Sequence, residues 1–299
     1  MSNPAGSRAG TPATPEEWRA LGRDHHLLGR RLFAVDLQRG PGRPLLALHG
    51  FPTCGWDWAP IAEQLAAGRR LIVPDLLGYG HSEKPHGYYT LSEQADLSLA
   101  LLAELGLGDV EVDLLAHDMG DTVAAELLAR RRASGRHPRL GRVALLNGGL
   151  LPELHQPRPI QRLLRSPLAP LVVKAMSRAR FGKAFAEVFG PRTQPTAHEL
   201  DQHYQLLTQD DGLANYPALI AYLREREVHR ARWVPAITAL DLPLLLVWGD
   251  RDPVAVFRIA EEVLRQRPAT RLVRLEGIGH YPQLEAPQRV AEALVDFFR

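Results

Sequence analysis

Three segments of this 299-residue chain carry side chains that could act together on a small molecule. The first reads Leu114-Leu115-Ala116-His117-Asp118-Met119-Gly120-Asp121-Thr122. An apolar run passes through the small residues Ala116 and Gly120 into a helical pattern. This is the spacing of a nucleophile elbow, in which a tight turn lifts the central side chain above a sheet. That side chain is the carboxylate of Asp118. It is ionised near neutral pH without a base, so it suits attack on an electrophilic sp³ carbon, with an ester as product. The competing reading makes Asp118 a helix N-cap that satisfies free N–H groups.

The second segment, His49-Gly50-Phe51-Pro52, ends the apolar run 45–48 in a turn whose backbone N–H groups can converge. The amides of Phe51 and Met119 could together form an oxyanion hole. Gly50 and Pro52 would also be present if they merely turned the chain. The third segment, Gly277-Ile278-Gly279-His280-Tyr281-Pro282, follows the last apolar run and places His280 in a loop. Before it, Trp248-Gly249-Asp250-Arg251-Asp252-Pro253 offers two carboxylates that could orient that imidazole. A histidine held in this way could deprotonate a water for attack on an Asp118 ester.

These residues need a scaffold that brings loops to one place. Apolar runs at 45–48, 71–73, 110–115, 143–146, 244–248 and 272–275 alternate with helical patterns, which predicts an α/β fold with a mostly parallel sheet and helices on both faces. The run 32–37 reads as an antiparallel edge. Ligands in such sheets bind beyond the carboxyl ends of the strands, where all three segments fall. The stretch between the fourth and fifth runs is far longer than a crossover of a dozen or so residues and has helical stripes at 160–176, 181–189 and 219–228. It predicts an inserted helical cap at 151–235, with the core at 21–150 and 236–299 and a flexible tail at 1–20.

Lys+Arg 36 against Asp+Glu 34 gives a net charge of +2, without the footprint of a nucleic-acid binder. The 45% apolar composition is that of a folded chain, and no run approaches the ~18 to 20 apolar residues of a bilayer span. The single Cys54 permits no internal disulfide and fits a reducing, cytoplasmic setting. His198 and His203 are one residue too far apart for a helical zinc motif, at about 140° around the axis, so no metal is expected. Gly78, Gly80 and Gly87 make no dinucleotide fingerprint, so no cofactor is expected either.

At these segments, and in Asp75-Leu76-Leu77-Gly78-Tyr79-Gly80-His81-Ser82-Glu83-Lys84-Pro85, the chain resembles the α/β-hydrolase superfamily. The likeness is greatest to the aspartate-nucleophile branch of epoxide hydrolases and haloalkane dehalogenases. His117 to Val123, Leu146-Asn147-Gly148-Gly149 and Gly279 to Glu285 most resemble the mesoderm-specific transcript-like hydrolases. The resemblance implies Asp118 as nucleophile, His280 as base, Asp252 as the orienting acid and Phe51 and Met119 as oxyanion-hole amides. Haloalkane dehalogenases place Trp directly after the nucleophile, and fluoroacetate dehalogenases place Arg there; this chain has Met119. An epoxide oxygen leaves as an alkoxide and needs a proton donor, for which the cap offers Tyr204, Tyr216 and Tyr222. Tyr216, after Leu213-Ala214-Asn215, lies nearest the epoxide hydrolases' L-N-x-Y pattern. Trp233 could instead donate to a halide, and His49, His117 and Asn147 are expected in the pocket with it. The expectation is a hydrolase opening small or medium apolar epoxides to diols. A dehalogenase-like hydrolase and a non-catalytic ligand binder are the alternatives.

Overall fold

The computed structural model describes residues 11–135 and 137–299. Eight strands, β1 (Gly22–Leu27), β2 (Arg30–Gln38), β3 (Gly42–Leu48), β4 (Arg69–Pro74), β5 (Val112–His117), β6 (Leu140–Leu146), β7 (Leu244–Gly249) and β8 (Arg271–Leu275), form one sheet. Their order is β1-β2-β4-β3-β5-β6-β7-β8. The ladders from β4 to β8 are parallel, and β2 runs antiparallel to both its neighbours. Every residue of β5 and β7 is buried, as befits central strands covered by helices on both faces.

The α/β expectation is met, with differences at the ends. The run 32–37 is antiparallel but is not the edge, because β1 pairs outside it. Strand β1 is Gly-Arg-Asp-His-His-Leu, whose polarity hides it, yet His25 is buried with its Nδ1 2.7 Å from Glu104 Oε1. The hairpin turns on Leu28 and Gly29, both at positive φ, which matches the twist that a two-residue connection needs. Strand β5 begins at Val112 because the Val110 N–H is used in a turn to the Leu107 carbonyl.

The expected tail at 1–20 also needs correction. Residues 1–10 lie outside the described ones, but Pro15–Ala20 is a helix. Thr14 Oγ1 accepts the Glu17 N–H at 3.2 Å, Pro15 opens the first turn, and Trp18 is buried edge-on to Trp56 at 6.2 Å. Thr-Pro-Glu-Glu is a helix-start signal legible in the sequence.

Between β6 and β7 the chain is helical, from Pro159–Leu164 through Ala169–Lys174, Arg178–Ala186, Ala197–Thr208 and Tyr222–Val228 to Arg230–Thr238. The expected cap boundary at 235 falls inside the last of these, which packs along the core helix Met119–Ala133. Cap and core enclose a cavity of about 330 Å³ at the carboxyl ends of the strands. Phe51, Val254, His280 and Tyr281 line it from the core, and Ile160 and Phe185 from the insertion.

Candidate active site

Asp118 sits where β5 ends and the helix Met119–Ala133 begins, at φ 49° and ψ −108°. A non-glycine residue in this region is strained by roughly 1–3 kcal/mol, which surrounding contacts must offset. The turn is tight enough that a Cβ on Gly120 would lie 2.6 Å from the His49 carbonyl oxygen. Asp118 makes no capping hydrogen bond to its helix, so the N-cap reading fails. Its Oδ2 instead accepts the Phe51 N–H at 3.0 Å, which brings the two expected turns together. Met119 opens the helix, so helical bonding does not use its N–H.

The structure selects between the two carboxylates after β7. Asp252 Oδ2 lies 2.7 Å from His280 Nδ1, whereas Asp250 pairs with Arg274 at 2.7 Å and accepts the Gly277 N–H. The other oxygen of Asp252 accepts the N–H groups of Val254 and Ala255 at 2.7 and 3.0 Å. Burial alone would lower the pKa of the His280 imidazole, but the Asp252 and Asp118 charges outweigh it and raise it to about 9. Burial would raise the pKa of Asp118, yet His280 and then Arg226 hold it below the ordinary value, so the carboxylate stays ionised.

Several expected pocket residues turn out to be structural. His49 Nε2 accepts the Leu76 N–H at 2.9 Å, so the proton sits on Nδ1, 2.9 Å from the Gly50 carbonyl. His117 directs Nε2 to the His280 carbonyl at 2.8 Å and braces the histidine loop from β5. Asn147, at the end of β6, donates to Asp252 Oδ2 at 2.8 Å and accepts the Gly249 N–H at 2.9 Å, so it orients the acid and does not face a ligand. Trp233 Nε1 donates to Glu126 at 2.7 Å on the core helix, so its indole is not available to a halide.

The three tyrosines separate in the same way. Tyr204 Oη donates to the Met176 carbonyl at 3.3 Å, and Tyr216 Oη to the Pro52 carbonyl at 3.4 Å. Tyr222 is buried and its hydroxyl has no partner among the described residues. Burial first, and then the Asp118 charge, push its pKa up, so it keeps its proton until a strong base appears. Its ring lies 5.9 Å from that of Phe51.

Three further residues were not read from the sequence. Arg226, one turn beyond Tyr222, is buried with its guanidinium 4.6 Å from that ring. It donates to Thr122 Oγ1 at 2.7 Å and to the Asp118 carbonyl at 2.8 Å, and Nη2 stands 3.6 Å from Asp118 Oδ1. In sequence it belongs to Arg224-Glu225-Arg226-Glu227, a charge run that reads as a solvated face. A Cβ on Gly149 would lie 2.2 Å from Arg226 Nη1, so this glycine makes the room the guanidinium occupies. His155, whose two ring nitrogens have no partner among the described residues, stands in the same field, its pKa lowered to about 4 by burial and then Arg226. Glu285 accepts the N–H groups of Gly190, Gly279 and Tyr281 at 2.7, 2.8 and 3.0 Å, tying the cap to the histidine loop.

Residues 45–293 match the model of the alpha/beta hydrolase family. The putative hydrolase LipZ of Mycobacterium tuberculosis is 40% identical over 287 residues, covering 95% of this chain and 97% of LipZ. The mesoderm-specific transcript protein of Mus musculus is 36% identical over 290 residues, covering 94% and 86%. Among solved structures, the epoxide hydrolase CorEH (TM-score 0.75, 21% identity, 93% and 98% covered) shares the fold. The haloalkane dehalogenase DatA of Agrobacterium tumefaciens C58 shares it too (TM-score 0.76, 23% identity, 93% and 95% covered). With the eight-stranded sheet, the elbow at Asp118 and a family match across most of its length, the chain belongs to the alpha/beta hydrolase family.

Proposed function

We propose that the protein hydrolyses epoxides through a covalent ester of Asp118. The observation that carries this reading is the Asp118 carboxylate itself. One oxygen is fixed by the Phe51 amide, while the other is met by no hydrogen bond among the described residues. In the first step Oδ1 attacks an epoxide carbon, the ring C–O bond breaks, and its electron pair goes to oxygen. Tyr222 gives its phenolic proton to that oxygen. Arg226, over the Tyr222 ring, stabilises the phenolate left behind.

Esterification removes the Asp118 charge, and with it one of the forces holding the proton on His280, which is released to solvent and taken back when the carboxylate is regenerated. The neutral imidazole takes a proton from water, and the hydroxide adds to the ester carbon while the Phe51 and Met119 amides receive the oxyanion. Collapse expels the diol, which leaves with the His280 proton. The proton on the regenerated carboxyl group returns to Tyr222, so only epoxide and water are consumed. The cavity of about 330 Å³, walled by Phe51, Ile160 and Phe185, suits a small or medium apolar substrate.

An epoxide fits better than a haloalkane because the indole of Trp233 is committed to Glu126 while the Tyr222 hydroxyl has no partner among the described residues. The test is product analysis with a panel of aliphatic and aryl epoxides beside chloro- and bromoalkanes. Diol formation supports the proposal. Halide release alone selects the dehalogenase, and binding without turnover of either class selects the ligand-binding alternative.

A further inference from the structure

We infer that the cap carries a docking face for an anionic lipid surface, set beside the mouth of the cavity. Residues 154–186 contain seven basic side chains (Arg158, Arg162, Arg165, Lys174, Arg178, Arg180 and Lys183) and no Asp or Glu, in a chain whose net charge is only +2. The remainder of the chain is therefore net negative, and the cation excess belongs to this stretch. Arg158, Arg165 and Arg178 have carboxylate neighbours in Glu187, Glu227 and Asp201. Arg162, Lys174 and Lys183 are exposed and meet no carboxylate among the described residues.

The same stretch shows large apolar side chains to solvent. Leu163, Leu168 and Leu171 are 42%, 54% and 65% exposed, on or between the helices Pro159–Leu164 and Ala169–Lys174. The other large exposed apolar residues, Leu28, Tyr88, Val110 and Val228, lie apart from them in sequence. Exposed leucines interspersed with cations along one short stretch are the composition that seats a helix pair at the headgroup boundary. No helix among the described residues is long and apolar enough to cross a membrane, so this contact is peripheral.

Charge decides the occupant. A second copy apposing the same face would set the unpaired cations Arg162, Lys174 and Lys183 against their own counterparts, whereas acidic headgroups neutralise them. A nucleic acid would leave the three leucines without a use. Arg158, Pro159, Ile160 and Gln161, which begin the first of these helices, also line the cavity, so an apolar substrate dissolved in the bilayer would meet the entrance directly. The docking face does not depend on which bond the site cleaves.

The test is flotation of the full chain with vesicles of phosphatidylcholine alone and of phosphatidylcholine mixed equally with phosphatidylglycerol. Binding to the mixed vesicles at low salt, weakened by added salt, is expected. Arg162→Gln and Lys174→Gln should each weaken partitioning about fivefold. The double variant Leu168→Glu, Leu171→Glu should lose it while its circular dichroism and elution volume stay unchanged. Failure to float with the mixed vesicles, or flotation indifferent to these substitutions, overturns the inference. So does a dimer that the leucine changes dissociate without any lipid binding, since the leucines then belong to a second copy.

Discussion

Two carboxylates at opposite ends of β5 separate a structural charge from the one proposed to react. Asp113, near the amino end, is buried, and both its oxygens are engaged: Oδ1 accepts from Arg43 at 3.1 Å and from the Arg142 N–H at 2.7 Å, and Oδ2 accepts from Arg69 at 3.3 Å. Asp118, just past the carboxyl end, is equally buried but has one oxygen held by an amide and the other 3.6 Å from the nearest guanidinium. A carboxylate saturated with donors is stabilised and inert. One that is kept ionised by charge at a distance retains a lone pair for a substrate. The parallel sheet explains the division, since its carboxyl end opens into loops and the cap while its amino end is closed by arginines.

The comparison breaks most visibly on activity. Asp118→Asn should lower epoxide turnover by about 10⁴-fold or more with little change in melting temperature. Steady-state rates and thermal melts on one preparation check this, and turnover near the wild-type level would contradict it. Tyr222→Phe removes the proposed proton donor and keeps the ring under Arg226. An epoxide with a poor leaving oxygen should then react about 10²-fold more slowly, within the usual range for a general acid. The same loss in Tyr216→Phe instead would move the role to the tyrosine nearest the sequence pattern.

Asp113→Asn is the converse case. It should leave kcat unchanged and cost about 1–3 kcal/mol of stability, since arginines at a partly solvated edge lose a hydrogen-bonded partner. Chemical denaturation measures this directly, and a loss of activity without a loss of stability would erase the distinction between the two ends.

A separate effect is acid sensitivity. Burial lowers the pKa of His49, His117 and His203 from 6.5 to about 4, so the unfolded chain binds more protons than the folded one between those values. Their contribution is complete above pH 6.5 and is lost as the pH falls through 4. His280 has the opposite sign: raised to about 9, it contributes fully below 6.5 and loses that contribution as the pH rises through 9. Melting temperature should therefore decline in both directions from about pH 6.5, the acid limb coming from the buried rings. A flat profile from pH 4 to 6.5 would show that these histidines titrate as if exposed.

How far the sequence could be read follows from the range of the interactions involved. Strands β3 to β7 were legible because burial on both faces leaves continuous apolar runs, and the elbow was legible because Ala116 and Gly120 are demanded by a local turn. The acid could be chosen from Asp250 and Asp252 only by resemblance; geometry decides it through Arg274, which draws Asp250 away. Strand β1 was hidden because its pairing with β2 is carried by backbone, and its polar residues find partners distant in sequence. Arg226 and the free hydroxyl of Tyr222 were hidden for a related reason. Whether a cap side chain faces solvent or the elbow depends on how the insertion packs, and a charged run on a helix looks the same in either case. The roles expected for His49, Asn147 and Trp233 failed because proximity to a site does not reveal which polar atoms are already engaged.

The most direct measurement removes the base and looks for the bond. His280→Gln, incubated with an epoxide and examined by intact mass and peptide mapping, should gain the full mass of one epoxide on the peptide containing Asp118. An unmodified protein that nonetheless forms diol, or an adduct located on any other residue, would contradict the account.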